Sequence, residues 1–226
     1  MQRSVFCLWL MLLCAASPVM ADQRVVVPVD GGEGQPSALE RGFDAALAQE
    51  VQVLVGTALS PSRLKAVTGV LGPERNALIR GYSEVAGGSA NATATDANAT
   101  SGASLALEVR IHAEGLKTRL RELGVMFTAA APLPYVLELS GVEPSRTKRL
   151  GALQELSGLK PLPAGAVDVP VLKLSQMGAW TGVLTLGEWN ATHSAKTLDE
   201  VWLAVWKSYF SRPGILAKGE SGLLVR

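Results

Sequence analysis

The sequence predicts an α+β fold of two strand-helix-strand-strand-helix modules, with helices packed on one face of a mixed or antiparallel sheet. Three observations predict it. Leu105, Leu107, Val109 and Ile111 alternate with Ala106, Glu108, Arg110 and His112, the period-two pattern of a strand with one buried face. Leu198, Val201, Trp202, Val205, Trp206, Tyr209 and Phe210 recur at spacings of three and four, one apolar stripe along a helix. The element order then occurs twice, over 25–124 and 134–210, although the halves share no evident residue-level identity.

Residues 1–21 stand apart from both modules. Arg3 gives a positive start, and 5–16 is an apolar run short of the about 20 residues a membrane span needs. Val19 and Ala21 place small residues where a signal peptidase reads. These features predict a cleaved signal peptide with Asp22 as the first mature residue; an uncleaved anchor is the rival reading.

The first module is expected over 22–128. Residues 25–29 read as a strand. Ser37-Ala38-Leu39-Glu40 has the form of a capping box, opening a helix whose Leu39, Phe43, Leu47, Val51 and Leu54 face one way. Ser60-Pro61 opens a second helix carrying Leu64, Val67 and Leu71, and Gly72-Pro73 ends it. A strand is expected around Tyr82. Residues 87–102 contain only Gly, Ala, Ser, Thr, Asn and Asp, too little apolar surface to offset ordering entropy, and predict a flexible loop. The alternating strand follows, then a helix marked by Leu116, Leu120 and Leu123 and closed by Gly124.

The second module is expected over 133–212. It reads as a strand at 135–139 and a helix at 145–156 with Leu150 and Leu153 inward. An apolar run through Val169, Val171 and Leu172 closes at Ser175-Gln176-Met177-Gly178, and a single strand is expected over 180–189. Thr197-Leu198-Asp199-Glu200 is a second capping box, and Pro213-Gly214 stops the last helix. Residues 213–226 read as a tail with one apolar tip, Leu223-Leu224-Val225.

Composition narrows the function classes. The chain has 226 residues, 48% hydrophobic and 18% charged. Its 21 basic and 20 acidic residues become equal in number once Arg3 leaves with the signal, which argues against nucleic acid or an anionic membrane as the main partner. Cys7 and Cys14 both lie in the signal, so the mature chain is expected to be cysteine-free, without disulfide or thiolate metal ligand. No second apolar stretch reaches membrane length, and no stable membrane insertion is expected after cleavage.

Residues Val25-Val26-Val27-Pro28-Val29, then Ala38 to Leu47, Val53-Leu54-Val55, Tyr82-Ser83 and the strand-helix from Leu105 to Gly124 carry a resemblance. In that order they resemble an exported-protein family of Gram-negative bacteria known as a domain of unknown function. The arrangement is similar to the N-terminal module of flagellar assembly protein T. The likeness spans roughly the first 125 residues and departs at Ile111-His112, where the family commonly has an aspartate. It implies a periplasmic address and an accessory or assembly role, and brings no catalytic motif.

The chemistry-bearing residues favour structural roles. Gly32-Glu33-Gly34-Gln35-Pro36-Ser37 lies between strand and helix, but Ser37 is a poor third glycine, and no acidic residue stands near Val55-Gly56-Thr57 to hold a ribose. His112 and His193 are the only histidines, and neither has the spacing of a zinc site or a Gly-x-Ser-x-Gly nucleophile. Glu188 with Asp199-Glu200 is a weak carboxylate pair, because the capping box uses Glu200. Arg146, Lys148 and Arg149 read as a solvated face. Four of the five tryptophans fall in the second module; Trp202 and Trp206 belong to the helix stripe. Trp180 and Trp189, nine apart on one expected strand, would face opposite ways, and the outward one is the candidate partner or ligand contact. The expectation is an exported, periplasmic, non-enzymatic accessory or assembly protein without cofactor or metal, acting through envelope proteins. The alternative is a periplasmic glycan- or peptide-binding protein using the exposed tryptophan.

Overall fold

A computed structural model describes residues 20–29, 35–85, 104–142 and 147–215. The fold is α+β, with a three-stranded antiparallel sheet, a five-stranded mixed sheet and helices alongside. The expected flexible loop at 87–102 and most of the tail lie outside the described residues.

The first half runs β1 (Met20–Pro28), α1 (Gln35–Val55), α2 (Pro61–Leu71), α3 (Arg75–Leu78), β2 (Ile79–Glu84), β3 (Ser104–His112), α4 (Ala113–Glu122) and α5 (Val125–Thr128). β3 is central, between β1 and β2. Its pattern is the expected one except at Ala106, which the alternation places outward and which is buried: Leu107, Val109 and Ile111 are fully buried, while Glu108 and Arg110 are exposed. β1 starts at Met20, earlier than its valines predict, because β3 offers it nine residues to pair with. From Asp22 opposite Arg110 to Pro28 opposite Ser104, that register falls wholly beyond the expected cleavage point.

Two helix starts differ in outcome. Ser60 caps α2 by accepting the Arg63 N–H, with Pro61 in the first turn, as its sequence predicts. The capping box expected at Ser37 is absent, because α1 begins at Gln35 and Ser37 already lies inside the helix. Pro36 occupies the first turn instead, where its missing N–H leaves nothing unpaired. After α4, Gly124 turns with φ of 80°. A Cβ there would lie 2.2 Å from the Phe210 ring, so glycine is required twice over.

The second half runs β4 (Leu133–Ser140), α6 (Thr147–Ser157), β5 (Leu159–Leu162), β6 (Val171–Met177), β7 (Ala179–Leu186), β8 (Trp189–Ala195) and α7 (Leu198–Phe210). Its sheet has the order β5-β4-β6-β7-β8, with β4 parallel to β5 and β6 and the other pairs antiparallel. The single strand expected over 180–189 is a hairpin: the chain reverses at Gly187-Glu188, where Gly187 has φ of 56°. Two strands, β5 and β8, are therefore added to the expected order. The α7 capping box is present, with Thr197 and Glu200 each accepting the other's backbone N–H.

α1 lies on β1 and β3, and α7 lies on β7 and β8. α4 touches α7 and α2 touches α6, so the helices form the inner layers between two outer sheets. Their buried side chains merge into one core. At its centre the Tyr135 ring meets Trp206 edge-on at 5.3 Å and Trp202 at 6.1 Å. Phe127 stacks on Phe210 at 5.3 Å.

The seam between the halves is also polar. Arg63, 9% exposed, donates to the backbone carbonyl of Thr128 at 3.1 Å, to Thr128 Oγ1 at 2.5 Å and to the carbonyl of Leu156 at 3.4 Å. Burial pulls its pKa down, and the nearby Glu155 carboxylate opposes that. Ser62 donates to Glu155 beside it, and Trp202 Nε1 donates to Ser157 Oγ at 3.3 Å.

Candidate functional site

The β8 edge of the five-stranded sheet brings Trp189, His193 and Arg212 close together, and β8 builds it. Leu186 and Trp189 pair directly across the two-residue turn. A two-residue turn closes on a pair that exchanges both backbone bonds, and the pattern alternates from there. Trp189, Ala191, His193 and Ala195 therefore aim their amides and carbonyls at β7. Asn190, Thr192 and Ser194 aim theirs at the edge that no other described strand covers.

The same turn corrects the tryptophan geometry. Trp180 and Trp189 are on different strands, and Trp189 shares a face with Leu186, hence with Trp180. Both face the helix layer, not opposite sides. Trp180 is 3% exposed and belongs to the core, whereas Trp189 is half-buried at the sheet's rim.

Trp189 is held by two residues that sequence reasoning did not assign to a site. Its ring meets Tyr209 edge-on at 6.0 Å, and the Arg212 guanidinium lies 4.5 Å from its centre and 4.1 Å from that of Tyr209. Arg212 Nε also donates to the Tyr209 carbonyl. Burial raises the Tyr209 hydroxyl pKa, opposed by Arg212. The available signal was the row Ala204, Ser208, Arg212 at helical spacing, followed at once by Pro213.

His193 lies farther along the strand, with Nε2 2.8 Å from Ser208 Oγ. This resembles the start of a nucleophile and base, but the Ser208 hydroxyl also lies 3.1 Å from the Ala204 carbonyl; when it donates there, Nε2 donates to Oγ and has no lone pair for its proton. The pair ties β8 to α7.

The other sequence candidates are dispersed. His112 Nδ1 accepts from Arg80 at 3.3 Å, and the imidazole lies against Gly115. Asp199 receives both guanidinium arms of Arg149, Glu200 serves the cap, and Glu188 sits exposed in the hairpin turn. Among the described residues no group of three or more His, Asp, Glu or Cys is placed to hold a metal ion. Of the glycine string only Gln35, Pro36 and Ser37 are described; the strand before it lies in an antiparallel sheet, which lacks the parallel crossover of a dinucleotide fold.

The edges themselves differ. β1 carries Asp22, Arg24 and Pro28; β2 is broken by an irregularity between Ile79 and Gly81; β5 is four residues long and includes Lys160 and Pro161. Charges, prolines, bulges and shortness are the devices that keep an edge from pairing with another chain. β8 has none of them: it is seven residues of unbroken register without a charge or a proline. Among the described residues, no helix is long and apolar enough to cross a membrane. No family model, curated protein or solved structure matches the chain.

Proposed function

We propose that the protein is an exported, non-enzymatic accessory or assembly protein of a Gram-negative envelope, working in the periplasm through protein contacts at β8. The observation that carries this reading is the unprotected β8 edge with Trp189 at its rim. A regular strand offering paired amides and carbonyls, beside an aromatic ring and an arginine, suits recognition by strand addition. The export half of the reading is supported by Arg3, the apolar run and the small residues Val19 and Ala21. The role is supported by the resemblance of the first 125 residues to exported envelope proteins.

The test places a photo-activated cross-linking residue at Asn190, on the open edge, and at Lys173, in the interior of the same sheet, in the producing bacterium. A discrete adduct from position 190 in the envelope fraction, absent at 173, is expected. No adduct from 190, or the chain recovered uncleaved from the cytoplasm, overturns the reading.

A further inference from the structure

We infer that the occupant of β8 is β8 of a second copy, paired antiparallel about Thr192 to make a two-fold dimer. The inference rests on the reading of β8 as a contact edge and names its partner. Reversing the strand on itself at Thr192 sets Trp189 opposite Ala195, Asn190 opposite Ser194 and Ala191 opposite His193, and brings Glu188, in the hairpin turn just before the strand, beside Lys196, just after it. Three of these four pairs are complementary, and Ala191 with His193 is not: acid meets base just beyond both ends, the largest side chain meets one of the smallest, and two polar groups meet. Opposite charges and matched sizes directly across an antiparallel pair are stabilising.

The backbone agrees with this register. Asn190, Thr192 and Ser194 are the residues whose amides and carbonyls face outward, and centring on Thr192 lets all of them bond at once. Moving the centre one residue, to Ala191 or His193, keeps outward groups opposite outward ones but pairs only two of the three within the strand, and it separates Glu188 from Lys196. Shifting it by two leaves an end unpaired and separates Glu188 from Lys196.

The helices agree too. α7 straddles β7 and β8, so the two copies of α7 would lie two strand spacings apart, about 10 Å, the distance at which helices pack. The half-buried residues of α7 on that side are Ala204 and Ser208, small enough for close approach. A rival occupant is the chain's own segment after Ile215. A strand added there parallel to β8 would step across the sheet in the direction opposite to β4–α6–β5, with its helix on the same face, and so with opposite hand. Crossovers of one hand are nearly universal.

The test is light scattering of the purified protein with charge exchange across the seam. The pure protein is expected to scatter as two chains at high concentration. Glu188→Lys and Lys196→Glu should each raise the dissociation constant about tenfold, since each puts like charges in both symmetric pairs, and the double variant should restore it. Thr192→Pro removes only an outward amide, and should give single chains with an unchanged circular dichroism spectrum. Single-chain scattering at every concentration overturns the inference, as does a dimer indifferent to these changes. If the protein is a single chain while the cross-linker at Asn190 still captures a different protein, self-pairing fails and the contact-edge reading stands.

Discussion

At the scale of single residues, two glycines separate conformational strain from steric conflict. Gly158 and Gly165 both have positive φ, 64° and 92°. A Cβ at Gly158 would lie 2.4 Å from both Arg63 Nη2 and Thr128 Oγ1, whereas nothing lies within 4 Å at Gly165. Gly165→Ala should therefore cost only the backbone term, about 1 kcal/mol. Gly158→Ala adds displacement of a buried guanidinium and should cost about 3 kcal/mol. Urea unfolding of the two variants checks this, and equal losses would mean that Arg63 is not fixed at the seam. The sequence could not show this site. Arg63 looks like any surface arginine on a short helix, and its carbonyl acceptors on Thr128 and Leu156 are 65 and 93 residues away.

At the scale of elements, α7 was legible and β8 was not. The α7 stripe is dense in large apolar residues and its capping box is local, so period and cap agreed. Asn190-Ala191-Thr192-His193-Ser194-Ala195 has no large apolar residue; β7 and α7 hold it in place, and that support is tertiary. Reading through Gly187-Glu188 as strand then reversed the tryptophan parity.

α7 is also tied to α4 through charge. Glu122 accepts from Lys207 at 2.8 Å and from Arg119 at 2.9 Å. Burial alone would push the Glu122 carboxyl up, but the bonds and charges of Lys207 and Arg119 together outweigh it and hold the pKa below the usual carboxylate range. A carboxyl with a depressed folded pKa stabilises the fold above its unfolded pKa, and that contribution is lost as pH falls through the folded value. Glu122→Gln should therefore lower stability at neutral pH and show a shallower loss on acidification below about pH 4. Parallel acid titrations of the two proteins would refute the link between α4 and α7.

At the scale of the whole molecule, the α+β class and most element positions could be read from periodicity, because each half buries its own apolar stripe. How the halves meet could not. The helices face inward, Phe127 stacks on Phe210, and Gly124 makes room for the ring; these contacts join residues far apart in sequence, with no local pattern to announce them. With both sheets outermost, their edges become the molecule's points of attachment, and only one of the four described edges lacks a device against pairing. Amide hydrogen exchange at Asn190, Thr192 and Ser194, followed across a dilution series, tests this most directly. Slow exchange at high concentration that becomes fast on dilution is expected, while Ala191 and His193, bonded to β7, stay protected throughout. Fast exchange of the three outward amides at every concentration, or protection that survives every dilution, would contradict it.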